Sequence, residues 1–314
     1  MRVLLAIDGS EPAGRARDLV DRIEWPPETS IRVVAAMRSP ERALPPADTG
    51  PAAEARKLEP SVIRRLHDTL DSAVVQLDRP GRRVERIILR GRAGSAIVQE
   101  ARDFGADLVV LGNRGHGTIS TMLLGSVSAE VVDHAPCPVL VARHDSLRSV
   151  VFATDGSEAA RHAERVFLDW PILRGARVTV AAVADVGLPW VTGAVPGAYD
   201  GSLETYREAA EDEETRLQAV VDDTVARLRA AGHDVAGTVR TGEVTPELLQ
   251  VATAAKADLI VIGSRGHTGL TRLLLGSVAR NTVVHAATSV LVVREKSRVD
   301  ATTTEPSREP AAVA

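Results

Sequence analysis

Apolar residues in this chain gather into short unbroken runs, separated by stretches with helical spacing. The runs at 3–7, 31–37, 84–89, 108–111 and 138–142 predict five β-strands; helices are predicted at about 13–23, up to about 77, after the third strand, and at 126–134. The order then repeats. A strand ending before Asp155 is followed by runs at 177–183, 235–239, 259–262 and 289–293, with helices at about 203–230 and 277–285. Alternating strands and helices joined by right-handed crossovers make a parallel sheet covered on both faces. The expected class is therefore α/β: two tandem doubly wound domains, each a five-stranded parallel sheet flanked by helices and each with its own core, over 1–144 and 148–297. Residues 298–314, rich in Thr, Glu, Pro and Ala without an apolar period, read as a disordered tail.

Local signals refine this outline. Trp25-Pro26-Pro27 and Trp170-Pro171 stop the first helix of each half, because the residue before proline is pushed out of the α region; the tryptophans read as packing anchors. Thr245 reads as a helix cap with Pro246 at the first helical position, and Gly94-Ser95 as the matching start in the first half. The connections at 39–51 and 186–200 differ most between the halves and leave strand ends where open α/β sheets bind ligands. There Trp190 and Tyr199 read equally well as cover for a base or as ordinary loop residues. The acidic stretch 204–214 reads as a solvated helix face.

The closest internal repeat is rich in glycine. At an offset of 151, residues 106–143 and 257–294 are identical at 20 of 38 positions, and Gly112, Gly115, Gly125 and Ser126 return as Gly263, Gly266, Gly276 and Ser277. Each set follows a strand and leads into a helix. Glycine lets the backbone approach an anion and a helix N-terminus offers unpaired N–H groups, so a nucleotide phosphate is the expected ligand; glycines kept for close helix packing are the alternative. Arg114 and Arg265 could pair with a phosphate oxygen, while His116 and His267 could donate a hydrogen bond or serve only as loop residues. His134 and His285 suit the negative end of a helix dipole.

Glycine, two residues, glycine, nine residues, glycine, serine is held without a gap in both copies, and an Asp-Gly-Ser follows the first strand of each half, at Asp8 and Asp155. In these features the chain resembles the universal stress protein family, in its nucleotide-binding branch, over about residues 1–297. The resemblance implies one ATP per domain, with Mg²⁺. It places the backbone around Gly112, Arg114 and Gly115, and around Gly263, Arg265 and Gly266, at the phosphates. Gly125, Ser126, Val127 and Ser128 would join them from the next helix, as would Gly276, Ser277 and Val278. Asp8 and Asp155 would lie near the ribose and the metal, with Met37 and Val183 as backbone contacts to adenine. Read from the residues alone, the aspartates could instead be turn residues capping their own backbone. Because Ser128 is matched by Ala279, the second site is expected to hold phosphate with one hydrogen bond fewer. The resemblance also implies a stress-response signalling module with an unidentified protein partner, slow ATP hydrolysis or nucleotide transfer being the alternative. Family members pair through the fifth strand, so the chain resembles a dimer fused into one molecule, and further self-association stays open.

Composition narrows the classes. A net charge of −4 without a long Lys/Arg run lacks the footprint of a nucleic-acid binder. The lysines are Lys57, Lys256 and Lys296, none in a glycine loop, so a P-loop lysine is missing there. A single cysteine, Cys137, excludes an intrachain disulfide and reads as a buried side chain. The first residues reach Asp8 too soon for a signal peptide and no apolar run reaches membrane-spanning length, so a cytoplasmic protein is expected.

Overall fold

A computed structural model describes residues 1–37, 51–115, 124–185, 199–266 and 275–294, with the backbone alone for 51–59 and 199–206. The first half runs β1 (Arg2–Ala6), α1 (Glu11–Arg22), β2 (Thr29–Met37), α2 (Pro51–Leu77), β3 (Arg82–Arg90), α3 (Ala93–Phe104), β4 (Leu108–Gly112), α4 (Ser126–His134) and β5 (Val139–Ala142). The second runs β6 (Ser149–Ala153), α5 (Glu158–Asp169), a 3-10 turn (Pro171–Leu173), β7 (Arg177–Ala184), α6 (Tyr199–Ala230), β8 (Asp234–Thr241), α7 (Val244–Ala254), β9 (Leu259–Gly263), α8 (Ser277–His285) and β10 (Ser289–Val293).

All ten strands form one sheet in the order β3-β2-β1-β4-β5-β10-β9-β6-β7-β8. Neighbours within each half are parallel. The halves meet where β5 and β10 pair antiparallel, Val141 opposite Val290 and Val139 opposite Val292. That pairing points the carboxyl ends of the two sets of strands to opposite edges of the sheet.

Adjacent residues of a strand face opposite sides, so Leu4 and Leu5 enter different cores. Leu5, Leu19, Leu70, Phe152, Phe167 and Leu217 pack on the side of α1, α2, α5 and α6; Leu4, Val98, Val131, Ile260 and Val283 pack on the side of α3, α4, α7 and α8. Each cluster runs through both halves, which departs from the expectation of one core per domain. The reason is the β5–β10 pair, which makes each face of the sheet continuous. Full burial of a Leu or Phe side chain contributes roughly 1.5–3 kcal/mol, so the junction is held as the halves are.

Three local expectations are corrected. α7 starts at Val244 with Glu243 as cap, not at Thr245, and α3 starts at Ala93 with Arg92 as cap, not at Gly94-Ser95. The preceding Gly91 and Gly242, at φ 129° and 143°, end the strands in a conformation that favours glycine, and the helices begin at once. Pro246 is tolerated because first-turn N–H groups have no partner within the helix. α6 begins at Tyr199, inside the stretch read as a loop. Trp25 and Trp170 pack half-buried on the core, and Trp25 Nε1 donates to the Val20 carbonyl at 2.8 Å. Trp190, the passages 39–50 and 186–198, and the tail 298–314 lie outside the described residues.

Candidate functional site

Strand order reverses between β1 and β4, and again between β6 and β9, because the chain proceeds outward from β1 to β3 before returning to β4. Such a switch point opens a crevice beyond the carboxyl ends of the two strands. Asp8 follows β1 and the first glycine loop follows β4; Asp155 and the second loop occupy the same places after β6 and β9.

Each aspartate holds a turn. Asp8 Oδ1 accepts the Ser10 N–H at 3.0 Å and Asp155 Oδ1 accepts the Ser157 N–H at 2.9 Å. The serines in turn cap α1 and α5, Ser10 Oγ accepting from Ala13 N–H at 3.4 Å and Ser157 Oγ from Ala160 N–H at 3.2 Å. Ser10 Oγ also donates to the Arg114 carbonyl at 3.4 Å, tying the glycine loop to the first helix. The second carboxylate oxygen faces the loop. A methyl group on Gly115 would lie 2.3 Å from Asp8 Oδ2, and one on Gly266 would lie 2.8 Å from Asp155 Oδ2. One oxygen of each aspartate thus holds the turn, and the other lies against the glycine loop.

None of the six motif glycines has a positive φ, so they are glycine for space. Gly112 and Gly263 let β4 and β9 lie against the backbone of α1 and α5, where a Cβ would sit 2.6 Å from Pro12 C and 2.9 Å from Ala159 C. That is the packing role. Gly125 and Gly276 close the loops: their N–H groups donate to the Asn113 and Ser264 carbonyls at 2.8 Å. They also cap α4 and α8 without a side chain, and the first intrahelical bonds are Ala129 N–H to Gly125 and Arg280 N–H to Gly276, 2.9 Å each. The N–H groups of Ser126, Val127 and Ser128, and of Ser277, Val278 and Ala279, are then first-turn donors at the positive end of a helix.

Two expectations change. Ser128 Oγ donates its one proton to the Gly112 carbonyl at 2.9 Å, so the bond that Ala279 lacks is internal and the phosphate-bond difference between the sites does not follow. By position at the strand end, Met37 is matched by Ala184 rather than by Val183. The carbonyl matching that of Met37, which accepts the Gly91 N–H at 2.9 Å, belongs to Ala184, which accepts the Gly242 N–H at 3.0 Å. The signal was present, since Asp8 and Asp155 are 147 residues apart and the same step from Met37 reaches Ala184.

Sequence reading also missed Arg216. It donates to the Asp155 carbonyl at 3.3 Å and is paired with Glu213 at 2.7 Å, a hydrogen bond that raises its pKa. Its counterpart at the offset of 151 is Arg65, on α2. His116 and His267 lie outside the described residues; Arg265 lies near enough to Arg294 to help, after burial, to lower the latter's pKa.

The sequence model described as universal stress protein family matches residues 1–143 and again 146–294. The chain belongs to the universal stress protein family. A universal stress protein of Mycolicibacterium smegmatis is 31% identical over 197 residues, 61% of this chain and 63% of the relative. The chain thus spans just under two thirds of the length of the first curated relatives it matches. A universal stress protein of Mycobacterium tuberculosis is 28% identical over 256 residues, 76% of this chain and 80% of the relative. Among solved structures, a universal stress protein from Archaeoglobus fulgidus shares the fold with a TM-score of 0.62 at 18% identity, over 93% of this chain and 98% of that one. Among the described residues, no helix is long and apolar enough to cross a membrane.

Proposed function

We propose that each half binds one adenine nucleotide, ATP with Mg²⁺, and that this universal stress protein signals nucleotide state to a protein partner. The observation that carries the reading is repeated in both halves: at the switch point a carboxylate oxygen faces a glycine whose Cβ would collide with it, Asp8 with Gly115 and Asp155 with Gly266. Phosphates fit beside that pair. First-turn donors at Ser126 and Val127, or Ser277 and Val278, offer hydrogen bonds and a positive helix end, and Arg114 or Arg265 adds charge from the loop. Adenine is assigned to the strand end at Met37 or Ala184.

The donor set suits Mg²⁺, which keeps several waters and takes one or two carboxylates beside substrate phosphates; Asp8 and Asp155 supply one each. Bound there, the metal would neutralise phosphate charge. The chain's own part is to orient the carboxylate through the Asx turn and to present the loop.

The test is calorimetric titration of MgATP into nucleotide-stripped protein. Two sites are expected, one lost in Gly125→Val and the other in Gly276→Val. A folded parent that binds no adenine nucleotide at micromolar concentration would refute the proposal and leave the glycines to packing alone.

A further inference from the structure

One cavity lined by the described residues shares no residue with either glycine loop. It is a cleft of about 800 Å³ where the segment joining the halves runs between the end of α1 and the turn after α5. That volume lies within the roughly 300–1,000 Å³ of small-molecule sites. Its floor is apolar: Leu19, Ile23 and Ala176 are buried, and Leu147 and Ile172 are half-buried against the same core.

The rim is charged. Arg22 pairs with Asp145, so each neutralises the other, and Glu24 stands nearby. Arg148 and Arg174 are exposed, and neither guanidinium has a hydrogen-bond or ion-pair partner among the described residues. Two unpaired guanidinium groups over an apolar floor call for a ligand with an anionic head and an apolar body. A guanidinium fork matches a carboxylate in particular, since two parallel N–H groups meet its two oxygens.

We infer that the cleft binds an aliphatic carboxylate of fatty-acid type, its head on Arg148 and Arg174 and its chain along Leu19, Ile23, Leu147 and Ile172. The walls come from both halves, α1 from the first and residues 171–176 from the second, with the joining segment between them. Such a ligand would hold the halves together and raise the melting temperature in proportion to the logarithm of its concentration once above its Kd.

Sodium decanoate, titrated calorimetrically below its micelle-forming concentration, tests this. Saturable binding of one decanoate per chain is expected, at least tenfold weaker in Arg148→Gln/Arg174→Gln, weaker in Ile172→Asn, and weaker for 1-decanol, which has the chain without the charge. Circular dichroism checks that the variants are folded. The Gly115→Val/Gly266→Val variant should bind decanoate as the parent does. Absence of saturation, equal affinity in the arginine variant, or loss of binding in the glycine variant, which would place decanoate in the nucleotide crevice, each overturns the inference.

Discussion

At the scale of single residues, the two kinds of motif glycine part company. Gly112 faces the backbone of α1, and a Cβ 2.6 Å from Pro12 C has nothing flexible to displace. Gly112→Ala should cost about 1–3 kcal/mol of strain and lower Tm by several degrees. Gly115 faces one carboxylate oxygen, which can rotate away. Gly115→Ala should leave Tm within about a degree of the parent but weaken MgATP binding, because Asp8 loses its orientation. Thermal melts with and without MgATP separate the two; equal losses of Tm would mean that both glycines serve packing. The sequence showed that these positions are special in both halves. It did not show which neighbour each faces, because Pro12 and Asp8 lie far from the loop along the chain and near it only in the fold.

At the scale of elements, the end of α6 carries a pH-sensitive contact. His233 follows the helix, its ring 5.2 Å from that of Phe167, with Nδ1 buried and without a partner. Burial lowers its pKa below the usual 6.5, against a smaller opposite effect from a hydrogen bond to the Ala176 backbone. The unfolded chain therefore takes up the proton first. Stability from this group is complete above about pH 6.5 and is lost as pH falls through the depressed folded value. Tm should fall between pH 7 and pH 5 more in the parent than in His233→Asn, measured by melts at matched ionic strength; identical pH profiles would exclude the contact. Sequence periodicity found the elements themselves well: α4, α8 and β10 begin and end at the predicted residues. It missed the starts of α3, α6 and α7; before α3 and α7 the glycine turn is not marked by apolar spacing.

At the scale of the whole molecule, the halves are joined by more than the β5–β10 pair. Arg143 reaches from the end of β5 to α8, donating to Val283 at 2.6 Å and Thr288 at 3.3 Å, while Arg294 reaches from the end of β10 to Ala135, after α4, at 2.9 Å. Each thus meets carbonyls at the negative end of the other half's helix. Burial lowers the Arg143 pKa to about 10, so it stays charged at neutral pH. Asp133 and Arg280 pair across the same junction. Arg143→Ala/Arg294→Ala leaves these carbonyls without charged donors and should cost on the order of 1.5–3 kcal/mol per arginine. Urea unfolding followed by tryptophan fluorescence and by circular dichroism should then become two non-coincident transitions; one shared transition at the parental midpoint would show that the strand pair alone unites the halves.

The apolar runs, the glycine repeat and the duplicated Asp-Gly-Ser determined the α/β class, the two-half architecture and the position of the crevice, because strand burial, helix periodicity and repetition act over short stretches of chain. Only the tertiary structure decided that β5 and β10 merge the halves into one sheet with cores shared across the junction. It also decided that Ser128 bonds inward to Gly112, that Ala184 rather than Val183 matches Met37, and that a cleft opens beside the joining segment. These depend on groups distant in sequence brought together by strand order and by the antiparallel pair, and neither leaves a local pattern to read.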